Sequence, residues 1–317
     1  MTKENTTGIT EFILLGFTVN RHLQVLLFIA LCTIYSLAIL TNSLVIAIIR
    51  HTQSLHKPMY LFIGTFSFLE IWYPTVTVPR FLLSLLTGNK SISVPGCITQ
   101  WYFHFSLGAT ETVTLVMMSY DRYVAICSPL HYTTIMNLRL SAQLALTCWL
   151  SGFLVLVFPL IQVVNLNFCG PNQIDHYYCD FSPLLMLSCS ETYTLDLVCF
   201  ILSCFILLGS LLVIIASYFC IVLTIVRLPT ASGKQKAFST CASHLTVIAI
   251  FYGTTIFMFV KPPGAHAWQF NKAMSIFPSI VTPLLNPIIY TLRNKEILKT
   301  LRRGAGKAVG SSIMNTF

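Results

Sequence analysis

The stretch Leu197–Val226, LVCFILSCFILLGSLLVIIASYFCIVLTIV, contains no charged residue and is bounded by Asp196 and Arg227. A helix crossing the hydrocarbon core of a bilayer needs about 20 mostly apolar residues. Lipid offers no partner to a backbone N–H or C=O, so the run is expected to form one membrane-spanning helix. Six stretches of similar character accompany it: His22–Ile49, Met59–Leu86, Ile98–Tyr120, Ala142–Val164, Ala237–Val260 and Ala273–Leu292. A β-barrel would instead show alternating segments of about ten residues. The expected fold is an all-α membrane protein, a seven-transmembrane helix bundle.

Composition agrees. Of 317 residues, 55% are apolar and 9% are charged, against about 25% charged in an ordinary soluble domain. One globular core could not bury that much apolar surface, so the excess must face lipid.

An odd number of spans puts the termini on opposite sides, and Lys and Arg accumulate on the cytoplasmic one. With the N-terminus extracellular, the inner segments hold thirteen of the 19 basic residues, among them Arg50, Arg122, Arg227, Lys236 and Arg302. The inner segments then carry +11 and the outer segments 0. The net charge of +9 is thus a topology signal, and nucleic acid is not an expected partner. The chain divides into an extracellular segment 1–21, the bundle 22–292 and a cytoplasmic segment 293–317, with a short amphipathic helix expected after the seventh span. Asn5-Thr6-Thr7 is a glycosylation sequon suited to an outside terminus. Met1–Asn20 lacks a basic region followed by an apolar stretch, so the first span is expected to act as its own signal anchor.

Loops leave no room for a soluble domain, and the longest, Asn165–Asp196, lies outside. It holds Cys169, Cys179 and Cys189, and Cys97 begins the third span on the same face. Four cysteines on an oxidising face allow three pairings.

The third span ends Met118-Ser119-Tyr120-Asp121-Arg122-Tyr123-Val124-Ala125-Ile126-Cys127. The sixth opens Lys236-Ala237-Phe238-Ser239-Thr240-Cys241-Ala242-Ser243-His244-Leu245. The seventh closes Pro283-Leu284-Leu285-Asn286-Pro287-Ile288-Ile289-Tyr290. Together with Pro58-Met59-Tyr60, Phe251-Tyr252-Gly253 and the three loop cysteines, these runs resemble the rhodopsin-like G-protein-coupled receptors and, within them, the olfactory receptors. The resemblance extends from the first span to Asn294. One departure is Glu70, where most of the family has Asp.

The resemblance implies a receptor for small volatile odorants. It also implies coupling to a stimulatory heterotrimeric G protein that raises cyclic AMP. The location implied is the plasma membrane, in the cilia of olfactory sensory neurons. It assigns the switch to Asp121, Arg122, Tyr123, Tyr218, Lys236, His244, Asn286, Pro287 and Tyr290, with Asp121 paired to Arg122 at rest. It implies the disulfides Cys97–Cys179 and Cys169–Cys189.

Glu70 and Glu111 are the acids deep within the spans, and a carboxylate there demands a proton, a cation or a donor. The resemblance points to sodium at Glu70, Glu111 and Asn286. The other reading of the residues is two protonated acids held by hydrogen bonds. No further cofactor is expected.

For the ligand, helical spacing places His104, Phe105, Gly108 and Ala109 on one stripe of the outer third span. Small residues beside aromatics leave a gap, expected to be walled by Leu202, Ser203, Ile206, Tyr252, Thr255, Ile256, Phe259, Ile276 and Ser279. A neutral imidazole at His104, where amine receptors carry an acid, favours alcohols, carbonyls or weak acids. His104 has no second ligand beside it, so no metal site is expected. A retinal protein would need a lysine deep in the last span, and Lys272 is at its outer end. An enzyme is not expected either, since nothing completes a site with His104 and Glu111.

Overall fold

The computed structural model describes residues 9–169, 171–259, 267–293 and 296–300. Within them, each expected span is helical. Helix α1 (Arg21–His51) starts where the Asn20 side chain accepts a hydrogen bond from Leu23 N at 2.9 Å, satisfying one orphan donor of the first turn. Helix α2 (Pro58–Thr87) begins on a proline, whose missing N–H is harmless there, and stops at Gly88 with φ 73°. The Ser93 hydroxyl caps α3 (Val94–Cys127). A turn of helix, α4 (Tyr132–Ile135), precedes the fourth span.

That span is two helices, α5 (Leu138–Leu154) and α6 (Val157–Val164). They separate where Pro159 has no N–H to return to the Val155 carbonyl. A short helix, α7 (Phe181–Met186), lies in the long loop before α8 (Tyr193–Arg227), and α9 (Ala231–Phe259) is the sixth span. The seventh comprises α10 (Ala267–Met274), a π-helical turn Phe277–Val281 and α11 (Thr282–Arg293). Pro278 and Pro283 flank or enter that widened turn, withholding donors from the ladder. Residues 296–300 are helical. The rest of the expected amphipathic helix, and Asn5, lie outside the described residues.

Among the described residues, six helical stretches are long and apolar enough to cross a membrane: Arg21–His51, Pro58–Thr87, Leu138–Val164, Tyr193–Arg227, Ala231–Ile256 and Phe270–Thr291. Helix α3 completes the seven while being more polar, and its position explains why. It packs against α2, α5, α8 and α9, and buries Gln100, His104, Ser106, Thr110, Glu111, Thr114 and Ser119. Its polar side chains meet protein, whereas α8 turns most of its apolar side chains outward. Helix α8 buries Ile214, Tyr218 and Ile221 at helical spacing and exposes Phe200, Phe205, Leu212 and Phe219.

A small sheet closes the end that carries the disulfides. Strand β1 (Glu11–Leu14) pairs antiparallel with β2 (Ser91–Ser93), Glu11 opposite Ser93 and Ile13 opposite Ser91. On its other edge β1 pairs in parallel with β3 (Gln173–Ile174), Ile13 opposite Gln173. Under the sheet lie Phe12, Leu14, Trp101, Ile174 and Leu184.

Candidate functional site

The site is built on α3, the central helix. At the disulfide end, Cys97 is bonded to Cys179, with Cα atoms 5.4 Å apart, and Cys169 to Cys189, with Cα atoms 5.8 Å apart. These are the two bridges expected. The first draws the long loop down over α3, where Gln100 accepts a hydrogen bond from Cys179 N at 3.0 Å and donates to Val76 O at 2.9 Å.

Two turns along α3 from Cys97 is His104. Its buried ring stacks on Tyr73 with centroids 4.7 Å apart and lies 4.6 Å from the ring of Tyr178. His104 Nε2 is 3.4 Å from Tyr73 Oη, while Nδ1 has no hydrogen-bond partner among the described residues. Phe105 packs edge-on to His104. Gly108 and Ala109 are half-buried, and a Cβ on Gly108 would come 3.7 Å from the Tyr73 ring. His104 and Gly108 thus both lie against Tyr73 of α2, and His104 also against Tyr178 of the loop.

Of the other expected wall residues, Tyr252 is buried and its hydroxyl is 2.6 Å from Ser210 Oγ, joining α9 to α8. Leu202, Ser203, Ile206 and Thr255 are half-buried, Ile256 is exposed, and Ser279 is buried in the π turn. Ile276 packs against the apolar cluster that contains Tyr177 and Tyr178. The side chain of Phe259 lies outside the described part.

Halfway down, Glu70 on α2 and Glu111 on α3 are both buried. Asn286 Nδ2 donates to Glu70 Oε1. Glu70 Oε2 and Asn286 Oδ1 have no hydrogen-bond partner among the described residues. Nearby, Asn42 Nδ2 donates at 2.9 Å to Pro283 O, a carbonyl of α11.

At the opposite end, Arg122 Nη2 donates to Asp121 Oδ2 at 3.0 Å, both side chains being buried. Tyr132 Oη on α4 donates to the other carboxylate oxygen at 2.8 Å. Burial and the Asp121 carboxylate push that phenol above its ordinary range. Tyr218 Oη is 2.8 Å from His244 Nδ1, tying α8 to α9. Tyr290 is buried, edge-on to Phe66 at 6.0 Å and 4.0 Å from Met118 Sδ. Tyr123 packs on the apolar cluster that holds Phe66, Met118 and Tyr290; Pro287 is buried within α11. The side chain of Lys236 lies outside the described part.

Tyr73, Tyr178, Gln100, Ser210 and Tyr132 were not among the expected residues. Tyr73 follows Glu70 by three and so shares its helix face. Tyr178 precedes a cysteine bonded to α3, which pins it above the third span. Tyr132 had no comparable signal.

The family described as olfactory receptor matches residues 31–305. Olfactory receptor 226 of Rattus norvegicus is 47% identical over 308 residues, covering 96% of this chain and 94% of its own. Human olfactory receptor 6A2 is 48% identical over 297 residues, 92% of this chain and 91% of its own. Human olfactory receptor 6B1 is 48% identical over 303 residues, covering 96% and 97%.

Proposed function

Because the chain belongs to the olfactory receptor family, we propose that it takes small, largely apolar volatiles between α3, α8, α9 and the seventh span and answers them through a stimulatory G protein. Membership makes it a multi-pass membrane receptor for odorants that couples to G proteins, and not an enzyme. The finer reading puts the N-terminus outside and the receptor in the plasma membrane of olfactory cilia.

One observation carries the ligand assignment. His104 Nδ1 is buried without a partner at the centre of an aromatic nest. A buried polar atom left unpaired costs about 1–3 kcal/mol, so a guest carrying one hydroxyl or carbonyl gains by pairing with it. The surrounding rings supply apolar area, and Ser203, Thr255 and Ser279 stand among the wall residues as further hydroxyls. Such a pocket binds through burial plus one or two hydrogen bonds, which gives broad tuning.

The response is a choice between two packings, and a guest shifts it only by binding one better than the other. In the packing described here Arg122 is held on Asp121, Tyr218 on His244, and Tyr290 on Met118. Release of these contacts, with Tyr123, Lys236, Asn286 and Pro287 on the moving elements, opens a cleft for the G protein. Midway, Glu70, Glu111 and Asn286 hold sodium in the resting packing. The unpartnered Glu70 Oε2 and Asn286 Oδ1 support a cation there, and two protonated acids held by hydrogen bonds are the competing reading.

The test is a cyclic AMP assay in cells expressing the receptor, run against a chemically diverse volatile library. An answer to some alcohols or carbonyls, lost in His104→Phe, is expected. A response indifferent to His104 would move the site elsewhere.

A further inference from the structure

At the Arg122 end of the bundle, α2 packs against both α1 and α5. A lateral groove of about 440 Å³ runs between the three helices. Ile49 and Arg50 of α1, Gly64 and Phe68 of α2, and Leu146 and Trp149 of α5 line it. Gly64 keeps it open: a Cβ there would meet Ile49 Cδ1 at 3.8 Å and nothing else within 4 Å. Phe68 and Trp149 close the deep end, their rings 5.7 Å apart. Phe68 and Leu146 are exposed, so the groove opens sideways, on helices long and apolar enough to cross a membrane.

The two ends of the groove differ in chemistry. Its lining on α2 runs from Tyr60 to Phe68, eight residues and so about 12 Å along a helix. That is most of the hydrocarbon depth of one leaflet, ~15 Å. Within that length the Thr65 hydroxyl donates to Leu61 O of its own helix at 2.9 Å and offers an occupant little. At the membrane boundary stands Arg50, in the last turn of α1. It is exposed, and no carboxylate pairs with it among the described residues. Lys57, just across the connection to α2, by contrast pairs with Glu296 at 3.4 Å, and Tyr60 Oη donates to the same carboxylate at 2.8 Å. The acid of this corner is already engaged, and Arg50 is left as a cation at the mouth of an apolar slot.

We propose that this groove binds an anionic phospholipid of the leaflet at the Arg122 end, one acyl chain lying along α2 from Tyr60 to Phe68 and the phosphate on the Arg50 guanidinium. The occupant must be apolar over about 12 Å and negative at one end. A guanidinium takes a phosphate with two parallel hydrogen bonds. A sterol hydroxyl brings no charge to answer Arg50, and a free phosphate would leave the apolar walls uncovered. A chain gains little by leaving lipid for an equally apolar slot, so the head decides which lipid stays. The excess of Lys and Arg at this end makes its leaflet the cytoplasmic one, where anionic lipids concentrate.

The test offers the purified full-length receptor equal amounts of dioleoyl-phosphatidylserine and dioleoyl-phosphatidylcholine and counts the bound lipid by native mass spectrometry. The two share their chains, so a preference reports the head. The serine lipid should be retained about fivefold over the choline lipid, and Arg50→Gln should bring that ratio close to one. Gly64→Leu fills the groove from its floor and should lower the ratio by a similar factor. Arg227→Gln removes a cation at the same end, on α8, and should leave it unchanged. A phosphatidylserine carrying a diazirine midway along one chain should label residues 60–68 and 145–149. A ratio near one in the unaltered receptor, or one that Arg50→Gln leaves as it was, would overturn the site. An equal loss in Arg227→Gln would overturn it in favour of diffuse attraction to the basic end. Label spread along α8 instead would overturn the groove, and displacement of the serine lipid by an equal amount of cholesterol would overturn the choice of occupant. No odorant enters either measurement, so a receptor silent to every volatile would leave both results standing.

Discussion

The two ends of the bundle are held shut by different chemistry. The disulfide end is sewn by two covalent bridges, a three-stranded sheet and a packed layer of aromatic rings. Among the described residues the Arg122 end has neither a disulfide nor a strand, though an apolar cluster with Phe66, Tyr218 and Tyr290 packs there. A few polar contacts stand beside that cluster: Arg122 on Asp121, Tyr132 on the same carboxylate, and Tyr218 on His244. Covalent and sheet contacts define a shape, while buried polar pairs define a choice, since each can exchange one partner for another at small net cost. The disulfide end is built to keep its shape, and the Arg122 end to exchange partners.

The largest expected effect comes from cutting the covalent side. Removing a native disulfide costs about 2–5 kcal/mol, and Cys97 is fully buried. Cys97→Ser or Cys179→Ser should abolish delivery to the cell surface, read by surface labelling of a tagged receptor. Normal delivery would mean that the sheet alone holds the disulfide end.

Breaking the other end should spare delivery and remove the signal. Arg122→Ala leaves Asp121 with Tyr132 as its hydrogen-bond partner and takes away the group released on activation. Cyclic AMP responses should fall to the basal level with surface labelling within about twofold of the unaltered receptor. Retained signalling would make the Asp121–Arg122 pair an anchor rather than a switch.

Gly108→Leu sharpens the comparison inside the pocket. Added methylenes in a packed site cost about 1–3 kcal/mol, and Tyr73 stands 3.7 Å from where even a Cβ would be. Potency should drop by about tenfold or more, and the set of active volatiles should narrow, read from dose–response curves. Unchanged curves would put the guest elsewhere.

The smallest effect is one of pH. Burial first, then the Lys272 and His104 charges, push His176 down from 6.5 to about 3. An unfolded chain takes up the proton below 6.5 and the folded loop resists it. The stability contributed by neutral His176 is therefore complete above pH 6.5 and is lost as pH falls toward 3. Thermal unfolding of His176→Gln should depend less on pH between 6.5 and about 4 than that of the unaltered receptor. Equal slopes would mean that the loop opens before the imidazole is charged.

The spans were legible because lipid imposes one rule on every residue of a crossing helix, and a run such as Leu197–Val226 obeys it without exception. Helix α3 was readable as a span, yet its polarity makes sense only once four helices surround it. The break at Pro159 and the π turn before Pro283 depend on how donors are shared locally, which hydropathy does not report. The sheet was not legible at all. Strand β1 is four residues long and its partners lie about 80 and 160 positions away, too short for alternation to stand out. Within the site, the stripe from His104 to Ala109 followed from helical period alone. Its partners Tyr73 and Tyr178 come from another helix and from a loop, so only tertiary packing brings them in. Lys272 was visible as a cation at the outer end, but nothing in its neighbourhood names Asp175, to which it donates at 2.5 Å.

The most direct test places purified receptor in lipid discs with a stimulatory heterotrimer and follows guanine-nucleotide exchange as volatiles are added. At least one alcohol or carbonyl should accelerate exchange, and Arg122→Ala should erase that gain while leaving the receptor folded. Exchange indifferent to every compound of a broad panel would contradict a bundle whose packing is chosen by a guest near His104.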